Sequence, residues 1–244
     1  MKKYELTTET LQFAGHTLHR IKALKDFGSV KAGELGGWIE NEKNLSQYGN
    51  AWIYDEAMVF SNAKVCDYAE VHNKAKIFVN AKILGNAKIL GKAIVYDKAI
   101  VYGNAIVYGN AKILGKAKVY DKANIFGNAR VCDCAEVYDK ANICGNAEVY
   151  GNVRICGNAT IKGDAKVHVT VDYIVFKNFW SSGRHFTWTR SNNKWSVGCF
   201  YGTGEELIKK TYADSEKSGR EYERVVRYVE SILADEKKEK SNKK

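Results

Sequence analysis

From Gly49 to His168 the chain keeps a single six-residue frame. It reads GNAWIY, DEAMVF, SNAKVC, DYAEVH and so on to GDAKVH, twenty hexapeptides without an inserted or deleted residue. Position five is Val or Ile every time, and position three is Ala except at Val153. Apolar side chains two residues apart lie on the same side of an extended strand, so positions three and five are the predicted buried rows. Position one is Gly, Asp, Asn or Ser except at Val79, and position two is most often Asn or Lys. Such residues tolerate a tight corner and positive φ. A strand that turns every six residues, with only Ala near its corners, closes as a triangle of three short strands per eighteen-residue coil, its axis filled by Val and Ile methyls. Twenty hexapeptides divided by three give about 6.7 coils, and strands roughly 4.8 Å apart make a prism about 32 Å long. The predicted fold class is mainly β, a triangular parallel solenoid.

The 244 residues contain no proline, where average usage near 5% would give about twelve. That absence fits a chain whose backbone N–H groups are committed to ladders. Both ends of a solenoid expose unpaired backbone and apolar rows, and both need covering. Residues 1–48 are the predicted N-terminal β cap: LQFAGHTL reads as a hairpin, Leu18 to Leu24 alternates apolar and polar, and GELGGWI leads Trp38 into the first coil. The far end is expected to be closed by residues after His168. There YIVFKNFW, HFTWTR and KWSVGCFY read as three strands of a small antiparallel sheet, separated by SSGR and SNN. TGEE at Thr203–Glu206 is a capping box that opens a helix, and Tyr222, Val225, Val226, Val229, Ile232 and Leu233 have helical spacing from about Glu216. The expected organisation is a cap (1–48), a hexapeptide helix (49–168), an α+β head (169–236) and a disordered basic tail (237–244).

The unit Val/Ile-x-Gly-Asn-Ala-x resembles the hexapeptide repeat of left-handed parallel β-helix proteins. More narrowly, LGGWIENEKNLSQYGNAWIY followed by many GNA-x-V-Y units resembles prophage-borne hexapeptide proteins labelled acyltransferases or polymer-forming proteins. The repeat match covers about half the chain. The resemblance, not the periodicity, implies a left-handed β-helix, with right-handed bactofilin-type helices as the structural alternative. Acyltransferases on this scaffold use a histidine as general base beside a coenzyme A groove, often shaped by a loop thrown out of the helix. This chain has no such loop. His72 and His168 both stand at position six, ninety-six residues apart, which is about 5.3 coils or about 25 Å. They cannot share a site within one chain, and the sequence reading finds no acid beside either to orient it. The three-histidine zinc site of γ-type carbonic anhydrases fails for the same reason. Ice binding would need flat Thr rows, where position four offers Lys, Ile and Glu. No P-loop, dinucleotide fingerprint or Cys/His metal spacing is present, so no catalytic residue, metal or cofactor is assigned.

Positions four and six point outward, and position six is mostly Tyr, Phe, Leu or Cys. Residues eighteen apart stack, so Tyr54, His72, Leu90, Tyr108, Phe126 and Cys144 form one ladder and Phe60, Phe78, Tyr96, Leu114 and Cys132 another. Such ladders stabilise themselves by stacking or serve as interfaces. In one coil Ile94, Ile100 and Ile106 take position four on all three faces, followed by Tyr96, Tyr102 and Tyr108, a belt expected to form a homo-oligomer contact. In the head, alternation groups Phe186 with Trp188 and Arg190, and Trp195 with Tyr201. Only one sheet face can lie under the helix, so Trp188, Arg190, Trp195 and Tyr201, with Arg184, are the candidate binding residues. The net charge of +10 favours nucleic acid, anionic surfaces or acidic proteins, with solubility as the plain alternative. No segment reaches the roughly 18 apolar residues of a membrane span. Six cysteines without a C-x-x-C pair read as reduced thiols in a cytoplasmic protein. The function expected is a rigid, non-catalytic, homo-oligomeric scaffold or binding protein of phage or prophage type. Its partner would be a host protein or nucleic acid, counter-defence included. The alternative is a hexapeptide-type acyltransferase using acetyl-coenzyme A.

Overall fold

The structure is a computed structural model and describes residues 2–242. The chain divides into two compact units, Met1–Asp172 and Tyr173–Lys244. The first is a parallel β-solenoid of about seven coils. Each of the twenty hexapeptides supplies one two-residue strand at positions four and five. Every third strand pairs in parallel, as in Lys88↔Ile106 and Ile89↔Val107, so residues eighteen apart are neighbours. Three faces result: one of seven strands, one of six, and a ten-stranded face that begins with three cap strands. Ala at position three and Val or Ile at position five are buried in every hexapeptide, Val153 included.

The corners explain position one. Its φ is positive in all three coil edges, +53° at Asp55, +60° at Asp97, +58° at Asp133 and +69° at Gly103, for example. Where the residue is Asp or Asn, its side chain also accepts the backbone N–H of the same corner one coil on. Asp67 accepts from Gly85 at 2.9 Å, Asp97 from Gly115 at 3.1 Å and Asp139 from Gly157 at 2.9 Å. Asp and Asn thus solve two problems at once, a left-handed backbone and an otherwise unsatisfied donor. Val79, at φ +61°, can do neither.

The N-terminal cap is built as the alternation predicts. Strand β1 (Tyr4–Phe13) and strand β2 (His16–Ala23) form an antiparallel hairpin, and β3 (Leu35–Ile39) pairs in parallel with the first solenoid strand of the ten-stranded face. The Gly-Gly in LGGWI permits that docking, since a Cβ on Gly37 would lie 2.5 Å from the carbonyl oxygen of Ala57. In the ladder each coil donates N–H groups to the next, so the first coil has orphan carbonyls. On the ten-stranded face the backbone N–H of Trp38 reaches Ala57 O at 2.9 Å. On the other two faces side chains take over. Lys3 Nζ donates to Ala51 O at 2.9 Å, and Asn44 Nδ2 donates to Ser61 O and Ala63 O, both at 2.9 Å. At the other end Asp172 accepts the N–H groups of His168 and Val169 at 2.7 and 3.0 Å. The first compact unit ends at Asp172.

The second unit corrects two expectations. Its sheet has four strands, Tyr173–Lys177, His185–Thr189, Lys194–Val197 and Phe200–Gly202, because a turn at Gly198 (φ +57°) folds KWSVGCFY into a hairpin. Helix α1 (Gly204–Asp214) opens with the expected capping box, Thr203 N donating to Glu206 Oε2 at 2.7 Å. Helix α2 (Glu216–Ser241) continues through most of the segment expected to be a disordered tail; Lys243 and Lys244 lie outside the described residues. Glu and Lys are good helix formers, lysines in the last turn favour the helix dipole, and Arg190 holds Glu236 in place.

Candidate functional site

The charged and aromatic groups converge most closely at the cap end of the seven-stranded face. Glu70 and Lys88 are position-four residues of adjacent strands, and Tyr54 and His72 are position-six residues of successive coils. Parallel register carries Lys88 Nζ to 2.8 Å from Glu70 Oε2. Within one hexapeptide, positions four and six lie on one side, which places His72 Nε2 3.1 Å from the same carboxylate oxygen. The sequence reading that no acid stands beside His72 is thus corrected: Glu70 does, by the same period of two that defines the buried rows. Burial pushes the Glu70 carboxyl up, but the hydrogen bonds and charges of Lys88 and His72 outweigh it and hold the group below its ordinary value. The His72 ring is fixed from its other side by Tyr54, stacked at 4.2 Å and 4°. Ser29, from the cap turn closed by Phe27 and Val30, meets the Tyr54 hydroxyl at 3.1 Å. Ser29, Tyr54, Glu70 and Lys88, with Asn50, Tyr68 and Asn86, line a shallow pocket of about 270 Å³, and His72 is joined to it through Glu70. With Nε2–H donating to Glu70, Nδ1 is left as the basic nitrogen. The arrangement can accept a proton.

His168 is separate from this group. It follows the last strand of the ten-stranded face and stacks on Tyr150 at 4.8 Å. Among the described residues no cluster of three or more His, Cys, Asp or Glu is arranged to hold a metal ion. The six cysteines are free thiols.

The belt coil lies where the repeat puts it, one isoleucine per face. Ile94 stands between Lys76 and Lys112, Ile100 between Lys82 and Lys118, and Ile106 between Lys88 and Asn124. Each isoleucine is half-buried, as lysine stems cover apolar neighbours while their ammonium groups stay wet. The tyrosines stack within their ladders, Tyr96 on Phe78 at 5.1 Å, Tyr102 on Tyr120 at 4.8 Å and Tyr108 on Phe126 at 4.9 Å. Tyr108 is exposed at 37%.

The head residues are distributed differently from expectation. Trp188 and Trp195 are 1% and 2% exposed and pack with Phe186, Leu207, Tyr222 and Val226. They are core, not a contact surface, because the helix pair covers the sheet face that holds the largest apolar rings. Trp188 Nε1 donates to Asn193 Oδ1 at 2.9 Å. Arg190 lies 5.7 Å from the Trp188 ring and makes two hydrogen bonds to Glu236, at 2.6 and 3.0 Å. Tyr201 accepts from Asn192 Nδ2 at 3.0 Å. Arg184 is exposed, and the prominent surface ring of the head is Phe179, 82% exposed.

These features define a hexapeptide-repeat parallel β-solenoid with an antiparallel cap and an α+β head. No protein-family model matches the chain. A protein named "Uncharacterized acetyltransferase YdcK", from Escherichia coli (strain K12), is 43% identical over 63 residues, 22% of this chain. The match spans 19% of that protein's length. No helix among the described residues is long and apolar enough to cross a membrane.

Proposed function

We propose that the chain is a rigid, non-catalytic scaffold of phage or prophage type that self-associates and binds a host protein or nucleic acid, counter-defence included. The observation that carries this reading is the run of twenty hexapeptides with no excursion. A solenoid without thrown-out loops presents flat ladders, and flat ladders suit subunit and partner contacts better than they enclose a small substrate. The prophage assignment rests on the sequence resemblance. Light scattering on the full chain tests self-association: the wild type should exceed the monomer mass, and Ile94→Lys with Ile100→Lys should lower the mass while the melting transition persists. A wild-type monomer at high micromolar concentration refutes the oligomer.

A second reading, an acyltransferase using acetyl-coenzyme A, is favoured by the Glu70-oriented His72 and by the printed name of the partial relative. His72 would be the proton acceptor. A thermal-shift titration with acetyl-coenzyme A decides it, since a ligand at 100 times its Kd stabilises the folded state by about 2.7 kcal/mol. No shift in the wild type removes this reading.

A further inference from the structure

On the ten-stranded face the cap hairpin overhangs the solenoid and leaves an open groove of about 720 Å³, lined by Met58 and Ile94 of the face and by Leu11 of the overhang. Its rim is Lys74, Lys92 and Lys112, all exposed. Lys76 stands between Met58 and Ile94 in the ladder. Its side chain lines the groove, and its ammonium lies over the Phe13 ring at 4.4 Å. The carboxylate at the groove, Glu56, is already committed: it accepts from Trp38 Nε1 at 2.8 Å and from Arg20 at 3.0 Å. Elsewhere on the solenoid two ladder lysines have carboxylates of their own, Lys88 with Glu70 at 2.8 Å and Lys118 with Glu136 at 3.0 Å. Around this groove the imbalance is direct, since four lysines, Lys74, Lys76, Lys92 and Lys112, line it against the single carboxylate of Glu56.

We infer that this groove is a docking site for a short acidic, amphipathic segment of a partner protein, its apolar side chain seated among Leu11, Met58 and Ile94 and its carboxylates meeting Lys74, Lys92 and Lys112. The inference rests on reading the chain as a binding scaffold. Charge complementarity selects an anionic segment for the lysine rim. The apolar lining selects a protein over a nucleic acid, because it is aliphatic where single strands want aromatic rings to stack on. Met58 to Lys112 spans three coil steps, about 14 Å, enough for roughly four residues of extended chain.

The probe is a fluorescein-labelled hexapeptide of two central leucines flanked on each side by two aspartates, read by anisotropy with the full-length protein. Saturable binding is expected that weakens with added salt. The triple variant Lys74→Glu, Lys92→Glu, Lys112→Glu should bind at least about tenfold more weakly while melting like the wild type. A peptide with serines in place of the leucines should also lose affinity. Absence of peptide binding, equal binding of the serine peptide, or a triple variant that binds as well as the wild type would each overturn the inference. Tighter binding of a thymidine hexanucleotide than of the peptide would also overturn it, in favour of nucleic acid. The mass of the triple variant by light scattering separates the two readings: an oligomer that ignores the peptide leaves the scaffold standing and removes the groove.

Discussion

Val79 is the corner residue that breaks the repeat's own rule, and replacing it should stabilise the protein. At φ +61° an L-residue pays roughly 1–2 kcal/mol relative to its relaxed backbone, and a β-branched residue sits at the upper end. The equivalent residues one coil before and after are Ser61 and Asp97, also at positive φ. In Val79→Asn the backbone would be one that Asn tolerates. The new amide oxygen would also stand under the N–H of Asp97, as Asn73 Oδ1 stands under Gly91 N at 3.1 Å. That hydrogen bond is worth about 1 kcal/mol. Val79 is half-buried, and loss of its methyl contacts offsets about 1 kcal/mol of the gain. The net is about 1–2 kcal/mol, which for a chain of this size raises Tm by roughly 2–8 °C. Calorimetry on the full chain reads it, with Val79→Ala as the control that keeps most of the backbone strain. An Asn variant that melts at or below the wild type, or no higher than the Ala variant, would refute the claim that this corner is strained.

Val101→Asp places a carboxylate in a row that is fully buried, and it should abolish folding or cost several kcal/mol; an unchanged melting temperature would contradict the inward assignment. Lys3, 1% exposed, has its ammonium pushed down to about 8 by burial. Its folded pKa lies below its unfolded value near 10.4, so the unfolded chain binds more protons between about pH 8 and pH 10 and stability rises with pH across that window. Lys3→Met should flatten that rise by an amount on the order of 3 kcal/mol, measured as Tm against pH; parallel pH profiles for the two proteins would refute it. Burial pushes the Tyr4 hydroxyl up, so its contribution is lost only as pH climbs above the ordinary tyrosine range. Trp188→Ala should cost about 3–5 kcal/mol and open the head to limited proteolysis before the solenoid, as expected for a core ring; unchanged protease resistance would place Trp188 outside the core.

The solenoid was legible because every determinant of a coil is local and repeated. Ala and Val/Ile mark the inside, and Asp, Asn or Gly mark the corner. The cap's working groups were not legible. Lys3 and Asn44 read as ordinary polar residues until the first coil's unpaired carbonyls stand opposite them, which is a property of the assembled end and not of any window. Glu70 beside His72 could have been read, since the two are positions four and six of DYAEVH. In the head the alternation correctly grouped Phe186 with Trp188, but period two names two faces without saying which the helix covers. There it fails outright, because Thr187 and Thr189 are buried as well.

The geometry of a prism also says where recognition can be built. Outward side chains on a flat face run parallel or diverge, and an overhang brings other groups to them from a second direction. Three of the solenoid grooves are walled by residues of the cap: Leu11 over the ten-stranded face, Gly28 and Ser29 over the seven-stranded face, and Asn41, Glu42 and Lys43 over the six-stranded face. The repeat then fixes the rest of each site by register, placing one ladder residue every coil step beneath the overhang. A site of this kind is changed by single substitutions at position four or six without disturbing Ala and Val/Ile rows that face the other way. Chemistry specific to a partner can therefore accumulate at the cap end, while the remaining coils supply length, rigidity and charge.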